Sequence, residues 1–266
     1  MRISVLMGIY NCADTLPRAL DSLLAQTYKE WKCIMCDDGS DDNTYIIAGQ
    51  YADKYPNHFL LIKNDTNQGL NITLNHCLEF ADTEYIARMD GDDISLPERF
   101  EKEINFLDQN KKFDIVSSTM IFFDEQGDFR TGSCIEQPTK ENIVAGSAIC
   151  HAPCMIRTNV IQSIGGYSVG KKYLRVEDVD LWIKLYSNGS RCYNFSTPLY
   201  KMQDDRNATE RRKFIYRIYS TRIRLNGCRK LKLKPIYYLK AFRPIAVGLL
   251  PRGIYNILHK NKAGQS

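Results

Sequence analysis

No stretch of this 266-residue sequence approaches the roughly 18 consecutive apolar residues that a membrane-spanning helix needs. The best candidate, residues 245–250, is short and lies between Pro244 and Pro251. Residues 1–12 carry a single Arg and a brief apolar run, then turn polar without a cleavage pattern, so no secretory leader is expected. Low-complexity segments and internal repeats are both lacking. Acidic residues disappear after Glu210: the last 56 residues hold 15 Lys and Arg and no Asp or Glu. The first 210 residues hold 21 basic against 31 acidic residues, a net of −10, although the whole chain is +5. An acidic body followed by a basic, anion-seeking tail is the organisation this implies.

What is present points to a folded α/β protein. Hydrophobic residues make up 44% of the chain and charged residues 25%, enough for one sizeable core. Nine cysteines, an odd number without an export signal, indicate reduced thiols. Cys33 and Cys36 form a C-x-x-C, but in a strand their side chains point to opposite faces. Cys150, His151 and Cys154 lack a second pair at zinc spacing and read as buried thiols beside a histidine.

Strand and helix patterns alternate through the first half. Residues 3–9, 31–36, 59–62 and 85–89 read as strands. Leu16, Leu20, Leu23 and Leu24 mark one helix, Ile46 and Ile47 a second, and Leu70, Leu74, Cys77 and Leu78 a third. This rhythm implies a mainly parallel sheet with helices on both faces, and ligands beyond the carboxyl ends of its strands. Ser95-Leu96-Pro97-Glu98 reads as a capping box ahead of a helix bearing Phe100, Ile104 and Leu107. Residues 113–123 read as a strand followed by a turn at Gln126-Gly127-Asp128. A strand at 153–156, a helix from Thr158 stopped by Gly165-Gly166, and a helix from Glu177 ended by Asn188-Gly189 complete the pattern.

Three polar clusters should meet at the carboxyl edge: Tyr10-Asn11, the run Asp37 to Asp42, and Asp90-Gly91-Asp92-Asp93. Three carboxylates in four residues repel one another unless a cation binds them, and hard oxygen ligands suit Mg²⁺ or Mn²⁺. Such an ion would bridge and neutralise a diphosphate; the alternative is a solvated acidic turn. In the second cluster, Asp41 or Asp42 fits a helix cap, whereas an acid at the strand end could accept a uracil N–H or a ribose hydroxyl. A third acidic group, Glu177-Asp178-Val179-Asp180, suits either a helix dipole or a general base that takes a proton from a sugar hydroxyl. Trp182 reads as core.

With these residues in place, the sequence resembles the family-two glycosyltransferases of the GT-A fold that build bacterial surface polysaccharides such as O-antigen and capsule. The resemblance covers roughly residues 1–205. It is carried by residues 3–11, by Asp37-Asp38-Gly39-Ser40 with Asp42 and Thr44, and by Asn67, Gly69 and Asn75. Residues 87–99, Gly165-Gly166-Tyr167 and the 177–182 run continue it. Each motif is weak alone; in this order and spacing the set is specific.

The resemblance implies a GT-A domain over 1–210, and the alternation of Lys and Arg with apolar residues after it points to a basic, amphipathic helical extension over 211–266. It implies Tyr10 against the uracil, and Asp38 at the uracil edge with Asp37 beside it. Asp90 and Asp92 match the D-x-D pair, with Asp92 the direct ligand of Mn²⁺ or Mg²⁺, and Arg88 helps to hold the diphosphate. Asp178 matches the catalytic base, with Glu177 and His151 on the acceptor side. Gly91, where relatives often carry Ala, is expected to be a harmless change. Gln203 stands where relatives often carry a His.

The implied reaction is inverting hexose transfer, glucose or galactose, from a UDP-sugar to a lipid-diphosphate-linked sugar such as GlcNAc-diphospho-undecaprenol, with a β-1,3 link. The implied location is the cytoplasmic face of the bacterial inner membrane. Phe214, Ile215 and Ile218 are expected on one helix face with cations opposite, directed at an anionic membrane and not at nucleic acid. Two rival readings are a nucleotidyltransferase, which would need a Gly-rich loop that Gly8-Ile9-Tyr10-Asn11 is not, and a non-catalytic nucleotide-sugar-binding protein.

Overall fold

A computed structural model describes residues 1–146, 148–204 and 213–250. Strands β1 (Ile3–Ile9), β2 (Trp31–Asp37), β3 (Phe59–Lys63) and β4 (Tyr85–Arg88) are joined by helices α1 (Leu16–Leu24), α2 (Thr44–Lys54) and α3 (Leu70–Glu79). Next come β5 (Ile94–Ser95), α4 (Arg99–Gln109), β6 (Ile115–Ser118), β7 (Ile121–Asp124), β8 (Gly127–Thr131) and α5 (Lys140–Ala145). Then follow β9 (Met155–Arg157), α6 (Thr158–Ser163), a 3-10 turn (Lys171–Tyr173), α7 (Glu177–Ser187), β10 (Cys192–Phe195) and β11 (Tyr200–Gln203). Helices α8 (Phe214–Lys230), α9 (Pro235–Ala241) and α10 (Arg243–Gly248) close the described chain.

The main sheet has the order β10-β6-β9-β4-β1-β2-β3, and only β9 runs antiparallel to its neighbours. Its central strands are buried on both faces, which is why their sequences are nearly continuous apolar runs. Ile3, Val5, Met7 and Ile9 pack beneath α1 and α4, while Leu6 joins Ile34, Cys36, Leu74 and Cys77 on the opposite face. Each fully buried large apolar side chain contributes about 1.5–3 kcal/mol. Gly8 lets α3 approach closely: a Cβ there would meet Thr73 Cγ2 at 3.1 Å and Leu70 Cδ1 at 3.2 Å. Cys33 and Cys36 fall on opposite sides of the sheet, both buried and free.

A small second sheet, β5-β11-β7-β8, sits beside the main one. It divides the single strand expected over 113–123 into β6 and β7, which belong to different sheets. The expected capping box does not form. α4 begins at Arg99 without a side-chain cap, and Ser95 lies in β5, where its Oγ accepts a hydrogen bond from Gln26 Nε2 at 3.1 Å. Beneath this region Arg99 and Glu103 form a fully buried pair at 3.2 Å, and burial raises the Glu103 carboxyl to about 7 despite its partner.

α8 packs on α7. Gly227 makes that approach possible, since a Cβ there would meet Ile183 Cδ1 at 2.6 Å. Its buried face is Ser220, Thr221, Ile223, Arg224, Gly227 and Cys228, while Phe214 and Ile215 near its start are exposed. Further outward apolar residues are Ile236, Leu239, Phe242 and Leu249, on or beside α9 and α10. The inner side of α9 is occupied by Tyr237, Tyr238 and Ala241 against Val144 and Cys228. The 210/211 boundary lies outside the described residues, as do residues 251–266.

Candidate active site

The parallel registers Ile9↔Asp37 and Leu6↔Arg88 bring the ends of β1, β2 and β4 to one edge of the sheet. Tyr10 leaves β1 with an exposed ring. Asn11 follows in a left-handed conformation (φ 47°) that Asn tolerates. Its amide donates to Ser40 Oγ at 3.1 Å, and its Oδ1 accepts from Asp41 N at 2.9 Å. The first two loops are thus stitched together. Asp42 accepts from Thr44 N at 2.9 Å just ahead of α2, but the cap position expected of Asp41 or Asp42 is held by Asn43, without a side-chain cap bond.

Asp37 and Asp38 are both buried. Asp37 closes a local turn by accepting from the amide and hydroxyl of Ser40. Asp38 accepts from Asn64 Nδ2 at 2.8 Å, Gln68 N at 2.9 Å and Gly69 N at 2.8 Å. Three of its roughly four acceptor positions are therefore used by the chain itself. The expectation of a carboxylate free to read a base gives way to one that pins the amino end of α3 to β2.

The β4 loop gathers Asp90, Asp92 and Asp93, with one carboxylate oxygen from each lying within 4.8 Å of the others. Burial, together with the charges of Asp90 and Asp92, pushes the Asp93 carboxyl well up. Asp92 is also raised, by the protein packed around it and by Asp90, although its side chain is exposed. Asp93 Oδ1 accepts from Gln203 N at 2.8 Å, and Asp90 pairs with Arg88. Asp92 is left as the carboxylate that faces solvent. Arg88 corrects another expectation: its guanidinium is buried beneath Asp90 rather than open to a diphosphate.

Several contributors carried no sequence signal. Arg18 Nη2 donates to Asp92 O at 2.9 Å and to Gln203 Oε1, with the guanidinium 4.8 Å from the Phe123 ring centroid. The residue standing in place of the family His thus fastens α1 and the small sheet to the acid loop. Thr15 Oγ1 donates to Gly91 O at 3.0 Å, and Tyr200 OH accepts from Asp90 N at 3.2 Å.

A Cβ at Gly91 would meet Cys12 Sγ at 2.9 Å and Ile9 Cγ2 at 3.3 Å, so Ala fits this loop only if the Cys12 side chain shifts. Gly91→Ala should cost about 1–3 kcal/mol by overpacking. In a Cys12→Ala background most of that cost should vanish, and a double-mutant cycle of denaturant midpoints checks the coupling. Strict additivity would show that the two side chains do not compete.

On the other flank, Asn75 accepts from Tyr167 N and donates to Tyr167 O, each at 2.8 Å. Gly166 (φ 64°) lies so close that a Cβ would meet Asn75 Oδ1 at 2.5 Å, which accounts for the Gly-Gly-Tyr motif. Tyr167 OH bonds His151 Nε2 at 2.9 Å, and His151 packs edge-on to Trp182 at 5.8 Å. Burial and the Arg88 charge hold His151 well below the usual imidazole range, so it is neutral. Tyr167 feels the charges of both Glu177 and Asp90, linking the start of α7 to the acid loop. Burial and the neighbouring Asp178 raise the Glu177 carboxyl. Both acids are half-buried at the first turn of α7. Among the described residues, the Asp90-Asp92-Asp93 group is the one acidic, Cys or His cluster with metal-binding spacing.

A doubly wound sheet with an acid loop at its carboxyl edge and an acidic helix start across from it is the GT-A arrangement of nucleotide-sugar transferases. The chain belongs to Glycosyl transferase family 2, whose sequence profile matches residues 4–165. It is similar to the putative glycosyltransferase EpsE of Bacillus subtilis (strain 168), at 39% identity over 262 residues, 98% of this chain and 94% of that protein. It is 30% identical over 192 residues to UDP-Glc:alpha-D-GlcNAc-diphosphoundecaprenol beta-1,3-glucosyltransferase WfaP of Escherichia coli, covering 72% of this chain and 73% of that one. In fold it resembles S. aureus TarS 1–349 in complex with UDP, with a TM-score of 0.71 and 20% identity over 91% of this chain and 70% of that one. The protein is therefore a family-two glycosyltransferase of GT-A fold, with relatives in bacterial polysaccharide synthesis.

Proposed function

We propose that the protein moves a hexose, glucose or galactose, from a UDP-sugar to a lipid-diphosphate-linked sugar, with inversion at the anomeric carbon. This reading is supported by the β4 acid loop, where Asp90 pairs with Arg88, and by the acidic start of α7, where the Arg88 charge reaches Glu177. WfaP and WfgD, both named as glucosyltransferases acting on GlcNAc-diphosphoundecaprenol, support that acceptor, a β-1,3 link and glucose as donor. The product would be a repeat unit of O-antigen or capsule type, made at the cytoplasmic face of the inner membrane.

Tyr10, exposed at the β1 exit, is proposed to cover the uracil, with Asp37 and the Asp38-pinned loop shaping that side. The acid loop fits a divalent cation: its oxygens are hard donors, closely spaced, and two of its carboxyls are held above their ordinary range. Asp92, with Asp90, would hold Mn²⁺ or Mg²⁺, which when bound supplies charge to the leaving diphosphate. Arg88 orients Asp90, and Arg18 with Gln203 orients the loop carrying Asp92. Asp178 accepts the proton of the acceptor hydroxyl as that oxygen attacks the anomeric carbon from the face opposite UDP. Glu177 and His151 line the acceptor side, where neutral His151 is oriented by Tyr167. A panel of UDP-sugars with Mn²⁺ or Mg²⁺ and a synthetic GlcNAc-diphospho-lipid tests the reading; absence of transfer from every donor would refute it.

We also propose that the C-terminal helices rest on an anionic membrane. Residues 213–250 contain ten Lys and Arg and no acid, and Leu239 is 71% exposed. No helix among the described residues is long and apolar enough to cross a membrane, so contact would be interfacial. Leu239→Glu with Phe242→Glu should reduce co-sedimentation with phosphatidylglycerol vesicles by about tenfold or more. Unchanged sedimentation would remove this face from the account.

A further inference from the structure

Residues 169–175 form a protruding segment between two anchors. At its start, Asn71 Nδ2 donates to Ser168 O at 2.7 Å, next to the Tyr167 backbone already held by Asn75. At its end Val176 is buried, and its amide bonds Tyr173 O at 3.2 Å, while the 3-10 turn rests on α8. Between the anchors Tyr173 packs against the core, and the other side chains face outward. Lys171, Lys172 and Arg175 are exposed, and none forms a salt bridge among the described residues. Val169 is 51% exposed and Leu174 41%.

Two further observations give the segment a direction. Arg175 adopts a left-handed backbone (φ 61°), costly for a residue other than Gly, Asn or Asp, immediately before Val176 and the Glu177-Asp178 pair. Its charge reaches Glu177. Leu174 lies against Gly69, where a Cβ would sit 3.9 Å from Leu174 Cδ2, so the segment spans from the start of α3 to the start of α7. Three cations and two apolar side chains, held rigidly at both ends beside the proposed base, match a ligand with one anionic and one greasy part.

We infer that residues 169–175 bind the acceptor, with Lys171, Lys172 and Arg175 on its diphosphate and Val169 and Leu174 against its first prenyl units. This rests on the lipid-diphosphate acceptor proposed above. An acceptor sugar whose hydroxyl faces Asp178 places its diphosphate one sugar ring away, which a segment three to seven residues upstream can reach. Lys and Arg hold phosphate by charge-assisted hydrogen bonds, and the apolar pair excludes water from them.

The test uses the full chain and a Lys171→Ala/Lys172→Ala variant, with Arg175→Asn as a second variant that suits the backbone. With GlcNAc-diphospho-farnesol as acceptor, KM for the acceptor should rise about tenfold or more, with KM for the UDP-sugar unchanged. With an octyl GlcNAc glycoside, which lacks the diphosphate, wild type and variants should behave alike. Equal losses with both acceptors, or a rise in donor KM instead, would overturn the assignment. Calorimetric binding of farnesyl diphosphate in the presence of UDP gives a readout that needs no turnover: wild type should bind and the double variant should bind about tenfold more weakly or not at all. Equal binding by both, or none by wild type, sinks the site. Binding as inferred without transfer from any donor would instead place the failure in the proposed reaction.

Discussion

Asp178→Asn should lower kcat by about 10²–10⁴-fold, the usual contribution of a positioned general base, while the affinity for UDP stays within about twofold. Asn keeps the size and the first-turn position on α7 but cannot take a proton. The substitution also removes a negative charge beside Glu177, whose carboxyl Asp178 helps to raise. Glu177 should therefore titrate at a lower pH in the variant. Glu177 ionises as pH rises through its elevated value, so any residual activity that depends on its ionised form should extend to lower pH in Asp178→Asn. Stopped-flow transfer with matched UDP titrations separates the two quantities. Full turnover by the variant would leave the base unassigned.

Removing the divalent cation with EDTA, or replacing Asp92 with Asn, should each lower kcat/KM by about 10³-fold, as loss of several kcal/mol of charge stabilisation requires. Asp92 is singled out because its neighbours are occupied: Asp90 pairs with Arg88, and Asp93 accepts from Gln203 N. Asp92→Asn should also raise the concentration of Mn²⁺ needed for half-maximal rate. Melting temperature should fall little, because Asp92 is exposed and the replacement eases a crowded set of like charges. Turnover by the wild type in metal-free buffer would remove the cation from the reaction, and a large loss of stability in Asp92→Asn would make the carboxylate structural.

Strands β1 to β4 of the main sheet are legible in the sequence because burial writes itself there as nearly uninterrupted apolar runs, whereas the edge strand β10, only half buried, is not among the strands expected. Helices α1 and α3, between the first four strands, are legible from their leucine spacing; α2 is marked by Ile46 and Ile47, of which Ile46 is exposed. The acid loops stand out because clustered carboxylates at strand ends have few structural uses. What stays hidden is built by distant partners. β5 has two residues and pairs with β11 more than a hundred positions later, so no local pattern announces it. Ser95-x-x-Glu98 has the form of a capping box, but Gln26 takes the Ser95 hydroxyl, and a sequence motif does not show which donor arrives first. Arg18 looks like any surface arginine on an amphipathic helix, and only the fold brings it to Asp92 O and Gln203.

Asp38 and Gly91 teach the same point from opposite sides. In sequence Asp38 has the look of an acid waiting for a ligand, yet Asn64, Gln68 and Gly69 already occupy it. Gly91 has the look of a neutral spacer, yet Cys12 fills the space a side chain would need. In each case the neighbour that decides the local packing lies 26 to 79 positions away in sequence. The tail illustrates it a third time. Its charge bias is plain, but which face it presents depends on how closely Gly227 lets α8 approach Ile183.

In the proposed reaction the hydroxyl activated by Asp178 enters opposite the departing UDP, in a single displacement. The anomeric configuration of the product, read by proton NMR after transfer from an α-linked UDP-hexose, tests it most directly. The account requires a β-linked product. An α-linked product would mean that the donor's configuration is retained, and Asp178 could not then be the base of a single displacement.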